Sequence, residues 1–552
     1  MKQYSIGIDF GTLSGRAVLV RHADGKELAS AVMEYPHGVM DRELWDGTPL
    51  PPDFALQHPQ DYLDVLADVV PRVLAEAGIT AGEIAGVCVD FTSCTVIPAL
   101  ADGTPLCFLE KFAHNPHAYV KLWKHHAAQP QADRINALAA ERGEAWLKRL
   151  GGKISPEFML PKALELLECA PEVYEAAELL IDAGDWINLM LTGEDHRSAC
   201  AAGYKGLWHY RDGYPADFIR ALDPRMADLI GKKIPADVVP VGAKVGEITA
   251  EGAKRCSLAV GTAVGASIID AHAALPAAGI TDPGRLLLIV GTSGVQIVLG
   301  EEDRDVPGMC GVVRDGVIPG YLAYESAQAA LGDQFDWFVK NCVPAAYTAE
   351  AEAAGMNIHK FLREKAKKLA VGESGLVALD WWNGNRSVLL NMNLTGLIVG
   401  LTLTTRPEEI YRALLESTAY GTRMIIDNYE ACGIAVDEII AAGGIAVKDE
   451  LIMQIYADVT GREIRIVASA QSGALGSAIL AAAAAGAFPS VKDAAAAMGG
   501  VREDLVYVPD PEARKAYDLL YAEYTLLHDT FGRGENDVMK RLKEIRRRAS
   551  EK

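Results

Sequence analysis

Two aspartates stand where apolar, strand-like runs end, which is an unusual place for a charged side chain. Asp9 follows the run 4–8 and precedes Gly11-Thr12, and Asp270 ends a second apolar run before small residues. An unpaired carboxylate is costly to desolvate, so a bound cation is a natural partner for Asp9. Two interpretations of Asp270 stay open: it caps a helix, or it removes a proton from a hydroxyl group in phosphoryl transfer.

A Gly-Thr turn between two strand-like runs occurs twice, half a chain apart. The first copy is Gly11-Thr12, and the second is Gly291-Thr292-Ser293 between the apolar runs 286–290 and 295–299. Such a turn offers backbone N–H groups and a hydroxyl group to a phosphate. Glycine-rich hairpin turns without a ligand are common, but the acid before the first copy favours a phosphate site. Two facing copies would hold one polyphosphate from both sides.

The elements that must position these residues alternate between strand-like runs and helical patterns. This alternation predicts an α/β protein with helices packed on sheets, and the two hairpins make part of each sheet antiparallel. The Gly/Pro-rich segment 278–284 is the best candidate for a domain junction. It predicts two domains, residues 1–281 and 282–552, with one phosphate-type loop in each. Alanine-rich stretches after Gly476 are interpreted as closely packed helices.

The composition excludes several classes of protein. A chain of 552 residues is too long for one core, and its formal net charge of -21 argues against nucleic acid or an anionic membrane as the main partner. Nine cysteines without a Cys-x-x-Cys pair indicate reduced thiols rather than a zinc ribbon or a redox motif. No signal peptide and no membrane-spanning stretch is visible, so a soluble, cytoplasmic protein is predicted.

Four histidines, His114, His117, His125 and His126, lie close together in the sequence. No cysteine or acid completes a metal site at a familiar spacing. We therefore predict that they lie on the surface of a helix, with metal binding as the weaker alternative.

The motifs resemble, in order and spacing, the FGGY family of carbohydrate kinases over nearly the whole chain. The resemblance rests on Asp9-Phe10-Gly11-Thr12, Asp270-Ala271-His272-Ala273, Gly291-Thr292-Ser293 and Gly443-Gly444. The segments similar to the ribulose-phosphorylating branch of this family are 7–17, 58–62, 89–95, 122–126, 201–205 and 380–386. This resemblance implies an actin-like ATPase fold, in which two ribonuclease H-like domains close over ATP with the active-site cleft between them.

The resemblance also implies a role for each matching residue. Asp9 would hold magnesium near the β- and γ-phosphates of ATP, and Asp270 would be the general base. The residues that would contact the phosphates and the adenosine are Gly11, Thr12, Gly291, Thr292, Ser293, Gly443 and Gly444. The residues that would bind the sugar are Ser93, Lys205, Asp270 and Glu325.

Several of these residues keep a second interpretation when the sequence is considered alone. Lys205 is also typical of a surface lysine, and Glu325 of an acid at a helix start. Gly443-Gly444 can be a plain strand-to-helix turn. Asp90 ends an apolar run and either orients the sugar pocket or caps the next helix. Gly294 stands where the family loop often has a hydroxyl side chain, which predicts a weaker contact to the γ-phosphate.

The reaction implied by the resemblance is ATP-dependent phosphorylation of L-ribulose at its terminal hydroxyl, as in L-arabinose catabolism. The family resemblance also suggests a homodimer. Another FGGY kinase, acting on D-ribulose, D-xylulose or a polyol, is the first alternative. Two others stay open: an actin-like ATPase that switches a binding surface, and a phosphatase built on the same loops.

Overall fold

The computed structural model describes residues 2–534 and 536–550 and contains two seven-stranded sheets. The strands are β1 (Tyr4–Phe10), β2 (Ser14–Arg21), β3 (Glu27–Glu34), β4 (Leu56–Gln57), β5 (Ile84–Phe91), β6 (Val96–Ala99), β7 (Val120–Lys121), β8 (Leu179–Asp182), β9 (Arg197–Ser198), β10 (Val238–Val239), β11 (Lys244–Glu247), β12 (Ala263–Gly265), β13 (Ile268–Ile269), β14 (Gly284–Val290), β15 (Gly294–Gly300), β16 (Gly311–Arg314), β17 (Leu322–Gln328), β18 (Val377–Leu379), β19 (Leu397–Val399), β20 (Val436–Ala442), β21 (Ile464–Val467) and β22 (Val501–Tyr507).

The helices alternate with these strands along most of the chain. They are α1 (Pro59–Ala77), α2 (Gln129–Arg142), α3 (Ala145–Arg149), α4 (Met159–Cys169), α5 (Pro171–Ala176), α6 (Ala183–Thr192), α7 (Ala199–Tyr204), α8 (Ala216–Leu222), α9 (Ala250–Cys256), α10 (Asp270–Ala277), α11 (Gly332–Cys342), α12 (Ala345–Ala353), α13 (Ile358–Ala366), α14 (Pro407–Ala431), α15 (Gly444–Lys448), α16 (Glu450–Thr460), α17 (Ser472–Ala484), α18 (Val491–Met498), α19 (Pro511–Gly532) and α20 (Val538–Ser550). Among the described helices, none combines the length and the apolar character needed to cross a membrane.

The two large sheets are built on the same plan. In the first, the strand order is β11-β12-β5-β1-β2-β3, with β13 also beside β5, and in the second it is β16-β17-β15-β14-β20-β21-β22. The first strand of each unit, β1 or β14, forms an antiparallel hairpin with the next strand and pairs in parallel with a later one, β5 or β20. The predicted pair of antiparallel hairpins is therefore confirmed, and each Gly-Thr turn connects the strands of its hairpin.

Helix α17 packs against the first sheet although it follows the second sheet in the chain. A Cβ atom on Gly7 of β1 would lie 1.8 Å from the carbonyl oxygen of Ala474, and one on Gly86 of β5 would lie 2.4 Å from that of Ala481. These contacts require glycine on the sheet, because any side chain there would overlap the helix backbone. The prediction of close packing in the alanine-rich region is confirmed, and α17 ties the two halves of the chain together.

A smaller four-stranded sheet, β4-β7-β6-β8, extends the first half of the chain beside the carboxyl edge of its large sheet. It has its own apolar core with α2, α4 and α5. The buried ammonium group of Lys162 donates hydrogen bonds to the carbonyl oxygens of Cys94 (2.6 Å) and Leu122 (3.0 Å). It thereby fixes the loop that contains Ser93.

Candidate active site

Three aspartates meet at the carboxyl edge of the first sheet. Strands β1 and β13 both run parallel to β5; Asp9 is in register with Asp90, and Ile268 is also opposite Asp90. Because the carboxyl ends of parallel strands share one edge of a sheet, Asp9, Asp90 and Asp270 are brought together. From the sequence, Asp90 could either orient the sugar pocket or cap the next helix. Because strand β6, not a helix, follows β5, Asp90 does not cap a helix.

The Asp9 and Asp90 carboxyl groups interact directly. Burial raises the pKa of Asp9, and its contacts with Asp90 and Arg16 oppose that rise. The pKa of Asp90 is raised well above its usual range by burial and by the charge of Asp9, although Ser477 Oγ donates a 2.7 Å hydrogen bond to its Oδ2. Asp90 therefore retains a proton when no cation is bound, because two adjacent carboxyl groups cannot both ionise cheaply.

This pair of carboxyl groups fits a divalent cation. The Oδ1 atom of Asp90 is buried and accepts no hydrogen bond within the described part of the chain. Gly473, near the N-terminus of α17, approaches both carboxyl groups: its Cβ position lies 3.4 Å from Asp9 Oδ2 and from Asp90 Oδ1. Carboxylate oxygens are the ligands that Mg²⁺ prefers, and a cation would replace the shared proton.

Asp270 is the first residue of α10, and Ile269 occupies the N-cap position. The interpretation of Asp270 as the helix cap is therefore wrong. Its Oδ1 accepts a 2.7 Å hydrogen bond from the N–H of Ala271, and burial, together with the charges of Asp9 and Glu325, raises its pKa to about 7. A carboxylate with a pKa near neutrality can accept a proton from an alcohol more readily than an ordinary aspartate can.

The first Gly-Thr loop is fastened to the small sheet. Thr12 accepts hydrogen bonds at its Oγ1 from Trp123 Nε1 (3.2 Å) and at its carbonyl oxygen from Gln57 Nε2 (2.8 Å). Tyr35 donates a 3.0 Å hydrogen bond to the carbonyl oxygen of Gly11. The Thr12 hydroxyl can still donate its own hydrogen to a ligand.

The second Gly-Thr loop lies beside the Gly443 turn. The carbonyl oxygens of Gly291 and Thr292 accept hydrogen bonds from the amides of Gly332 and Leu331, at the start of α11. Gly443 follows β20, the parallel neighbour of β14, and has a φ of 97° with its Cβ position 2.5 Å from the carbonyl oxygen of Val290. Only glycine fits there, and the strand-to-helix turn that the sequence allowed is present, since Gly444 begins α15.

Two of the predicted sugar-binding residues, Lys205 and Glu325, lie near each other, and Glu325 also lies near Asp270. Lys205 is 14% exposed and its Nζ lies 4.8 Å from the centre of the Phe158 ring, so the surface interpretation of this lysine is wrong. Glu325 lies in strand β17 rather than at a helix start, and its Oε2 is 3.3 Å from His272 Nε2. The Oγ atom of Ser93 is buried without a hydrogen-bond partner among the described residues.

Charge around Glu325 keeps it ionised in spite of its position. Burial raises the pKa of this carboxyl group, but His272, Lys205 and Arg386 together lower it below its usual value. His272 and Arg386 were not assigned a role from the sequence, nor was Glu157, which lies within 4.0 Å of Lys205 and Arg386. The only sequence signal for Arg386 was its place in the segment 380–386, and Glu157 had none.

The prediction that the four histidines lie on the surface of a helix is wrong for the helix and for His125, whereas His114 and His126 are exposed as predicted. His125 is fully buried, and its Nε2 lies 3.0 Å from the Glu165 carboxylate, which also contacts Lys121 at 3.0 Å. None of the four histidines lies in an α-helix. His126 instead lies 3.6 Å from Glu157, close to the predicted sugar residues.

Comparisons with known proteins cover both halves of the chain. The models of the N-terminal and C-terminal domains of the FGGY family of carbohydrate kinases match residues 4–276 and 286–485. The chain is 52% identical over 548 residues to a ribulokinase of Geobacillus thermodenitrificans, with 98% of this chain and 97% of that protein covered. It is 49% identical over 552 residues to a ribulokinase of Mycolicibacterium smegmatis, with 99% and 97% covered.

The fold is also found among solved structures. The xylulose kinase from Rhodospirillum rubrum superposes with a TM-score of 0.77 at 26% identity, over 96% of this chain and 99% of that one. A ligand-bound xylulose kinase from Lactobacillus acidophilus gives a TM-score of 0.78 at 20% identity, over 96% and 98%. The predicted two-domain, actin-like ATPase architecture is confirmed.

Proposed function

The chain belongs to the FGGY family of carbohydrate kinases, and on that basis we propose that it transfers the terminal phosphoryl group of ATP to the terminal hydroxyl of L-ribulose. The products are ADP and L-ribulose 5-phosphate. Full-length similarity to proteins named ribulokinase supports ribulose as the substrate over the other sugars of the family. The two non-kinase alternatives lose their support, because the family consists of carbohydrate kinases.

One observation carries the proposal of a sugar site. Three of the predicted sugar-binding groups have unused hydrogen-bonding capacity: the ammonium group of Lys205, the carboxylate of Glu325 and the buried hydroxyl of Ser93. Of these, Glu325 lies close enough to Asp270 for its charge to raise the pKa of Asp270. A polar group in such a position is unfavourable unless a ligand supplies the missing partner. A polyhydroxylated ligand offers both donors and acceptors, so the arrangement favours a sugar over an apolar substrate.

The chemical step we propose uses Asp270 as the base. Its carboxylate accepts the proton of the terminal hydroxyl while that oxygen forms a bond to the γ-phosphorus, and the bond from the γ-phosphorus to the bridging oxygen of ADP breaks. Asp9, with Asp90 beside it, would hold magnesium. Bound magnesium would neutralise phosphate charge during the transfer.

The two Gly-Thr loops divide the phosphate contacts in this proposal. Gly11 and Thr12 would approach the phosphates from the first half, and residues 291–293 from the second half, with Gly443 and Gly444 against the adenosine. We assign the base and sugar binding to residues 1–281, with Glu325 contributed to the sugar site by the second half, and nucleotide binding to residues 282–552. Closure of the two units would exclude water and so favour transfer to the sugar over hydrolysis.

The assay is a panel of L-ribulose, D-ribulose, D-xylulose and polyols, with ADP release and product mass measured for each. We expect L-ribulose to give the highest kcat/KM and a product heavier by one phosphoryl group. ADP release that no sugar stimulates would contradict a sugar kinase. A clear preference for another sugar would support the assignment as a sugar kinase and contradict L-ribulose as its substrate.

Two further expectations concern the state of the enzyme. All nine cysteines lie within the described residues and are free, which supports a reducing, cytoplasmic location. A homodimer remains a prediction from the family resemblance, and light scattering of the purified protein would test it.

A further inference from the structure

We propose that Arg386 binds hydroxyl groups of the sugar from the second half of the chain, and that Glu157 positions Arg386 and Lys205 for this task. The proposal rests on the sugar-kinase function above and deepens it. It gives a role to the segment 380–386, which the proposed function left without one. In this proposal, residues from both halves of the chain line the sugar site.

Glu157 lies at the centre of a group of basic side chains. Its carboxylate is 3.6 Å from Arg386, 3.6 Å from His126 Nε2 and 3.9 Å from Lys205 Nζ, and its side chain is 13% exposed. Burial raises the pKa of Glu157, but contact with His126 and the charges of Arg386 and Lys205 outweigh burial and lower it to about 2. Glu157 is therefore an anion that attracts both Lys205 and Arg386.

The distances around Glu157 are longer than those of hydrogen bonds. Donor and acceptor atoms in a charge-assisted hydrogen bond lie about 2.7–2.9 Å apart, whereas the three basic side chains lie 3.6–3.9 Å from the Glu157 carboxylate. Among the described residues Arg386 forms no hydrogen bond, and its side chain is 36% exposed. Because Arg386 forms no hydrogen bond with Glu157, its N–H donors are available to a ligand.

The backbone that carries Arg386 is firmly held. The amide of Ser387 donates to the carbonyl oxygen of Ala327 (3.1 Å), and the amide of Ala327 donates to Ser387 Oγ (3.2 Å). Asp380 accepts 2.8 Å hydrogen bonds from Gln328 Nε2 and Tyr524 OH. These contacts fasten the segment to strand β17 two residues from Glu325, so the guanidinium group is presented by a rigid support.

The chemistry of the guanidinium group suits neighbouring hydroxyl groups. Its planar N–H groups can donate to two acceptors at once, which a lysine ammonium group does less well. The charge of Glu157 is the main cause of the raised pKa of Arg386. Glu325, which is also negatively charged, raises this pKa further. A sugar placed between these groups can accept from Arg386 and Lys205 and donate to Glu325. A ligand with adjacent hydroxyl groups is therefore the class that this site selects.

The test uses the full-length enzyme and four variants: Arg386→Gln, Arg386→Lys, Glu157→Gln and the double variant Glu157→Gln/Arg386→Gln. The control is Arg502→Gln, which removes an exposed arginine that pairs with Asp504. The measurements are L-ribulose binding by calorimetry without nucleotide, KM for the sugar and for ATP, kcat, and the thermal midpoint of unfolding.

We expect Arg386→Gln to weaken sugar binding about 10- to 100-fold, the range for loss of a charged hydrogen bond, with KM for ATP within about twofold of wild type. Arg386→Lys should recover only part of this loss. Glu157→Gln should raise KM for the sugar more than it lowers kcat. In the double variant Glu157→Gln/Arg386→Gln, the fold loss of sugar affinity should be smaller than the product of the losses in the two single variants, because one residue acts through the other. The control should bind sugar like wild type.

Three results would overturn the inference. The first is Arg386→Gln binding L-ribulose as tightly as wild type. The second is an equal loss of sugar and ATP affinity with a lowered unfolding midpoint, which would identify a structural pair. The third is full additivity of the two substitutions. If the wild-type enzyme prefers another sugar and Arg386→Gln weakens the binding of that sugar, only the assignment of L-ribulose fails. If the enzyme phosphorylates no sugar, both proposals fail.

Discussion

Replacing Asp270 with asparagine separates its catalytic role from its structural one. Asparagine has nearly the same shape, and its Oδ1 can keep the hydrogen bond from the N–H of Ala271. What it removes is the charge and the ability to accept a proton. We expect Asp270→Asn to lower kcat by about 100- to 10,000-fold, the usual contribution of a general base, and to leave ATP binding unchanged.

The same substitution should stabilise the fold without ligands at pH 8. Burial and the neighbouring acids raise the pKa of Asp270 from 3.8 to about 7, which corresponds to at most about 4 kcal/mol at about 1.4 kcal/mol per unit. Because the carboxyl group is only partly buried in the cleft, solvent screens its charge, and we expect a gain of about 1–2 kcal/mol. The active enzyme thus carries a charge that its fold disfavours.

The sign of the pH dependence follows from the raised pKa. The folded enzyme holds a proton on Asp270 up to about pH 7, whereas the unfolded chain loses it near the ordinary aspartate pKa of 3.8. The penalty for the charge is therefore full above pH 7 and disappears as the pH falls toward 4. At pH 5.5 the stability gap between variant and wild type should be roughly half of its value at pH 8.

The assay combines steady-state kinetics with urea unfolding at pH 8 and pH 5.5, and Asp41→Asn serves as a matched control at an exposed position. Wild-type kcat/KM for the sugar should fall about tenfold for each pH unit well below 7, because only the ionised base acts. An Asp270→Asn enzyme with more than a tenth of wild-type turnover would refute the base assignment. A variant less stable than wild type at pH 8 would refute the electrostatic reasoning.

Three other predictions can be measured on single variants. Asp9→Asn should raise the magnesium concentration for half-maximal turnover by about tenfold or more, because a charged ligand is lost; an unchanged magnesium titration would contradict the assigned cation site. Gly294→Thr, which adds the hydroxyl common in the family loop, should destabilise by about 1–3 kcal/mol without tightening ATP binding, since its Cβ would lie 3.1 Å from a leucine methyl group; a lower KM for ATP would show that the missing hydroxyl matters. Gly7→Ala should lower the thermal midpoint far more than Gly82→Ala, because the first places a Cβ 1.8 Å from a carbonyl oxygen of α17 and the second meets open space; equal midpoints would refute the close contact.

Local signals in the sequence were sufficient to predict the hairpins and the acids at their ends. Asp9 interrupts an apolar run, and the Gly-Thr turns at 11–12 and 291–293 interrupt β-strand patterns, so both features can be recognised from a few neighbouring residues. The structure places one of these hairpins in each of the two seven-stranded sheets. These predictions succeeded because strand, turn and strand are contiguous in the chain.

Side-chain partners that lie far apart in the sequence could not be predicted in this way. The histidine segment looked like an exposed helix because its pattern does not show that Glu165 will cover His125. Asp90 was ambiguous for the same reason: the groups that raise its pKa come from β1 and α10, and its hydrogen bond comes from Ser477 in α17. These elements are far apart in the sequence and share no motif, so their proximity is visible only in the folded structure.

The interlocking of the two halves gives these distant partners a common physical basis. Helix α17 follows the second sheet, yet it brings Ser477 to Asp90 and its N-terminal turn to Asp9. Arg386 similarly belongs to the second half and lies against Glu157 of the first. The proposed cation site and the proposed sugar site therefore each contain residues from both halves of the sequence. Because α17 packs directly on β1 and β5, the proposed cation site is held by the first sheet itself, whereas the proposed sugar site depends on how Arg386 of the second half lies against Glu157.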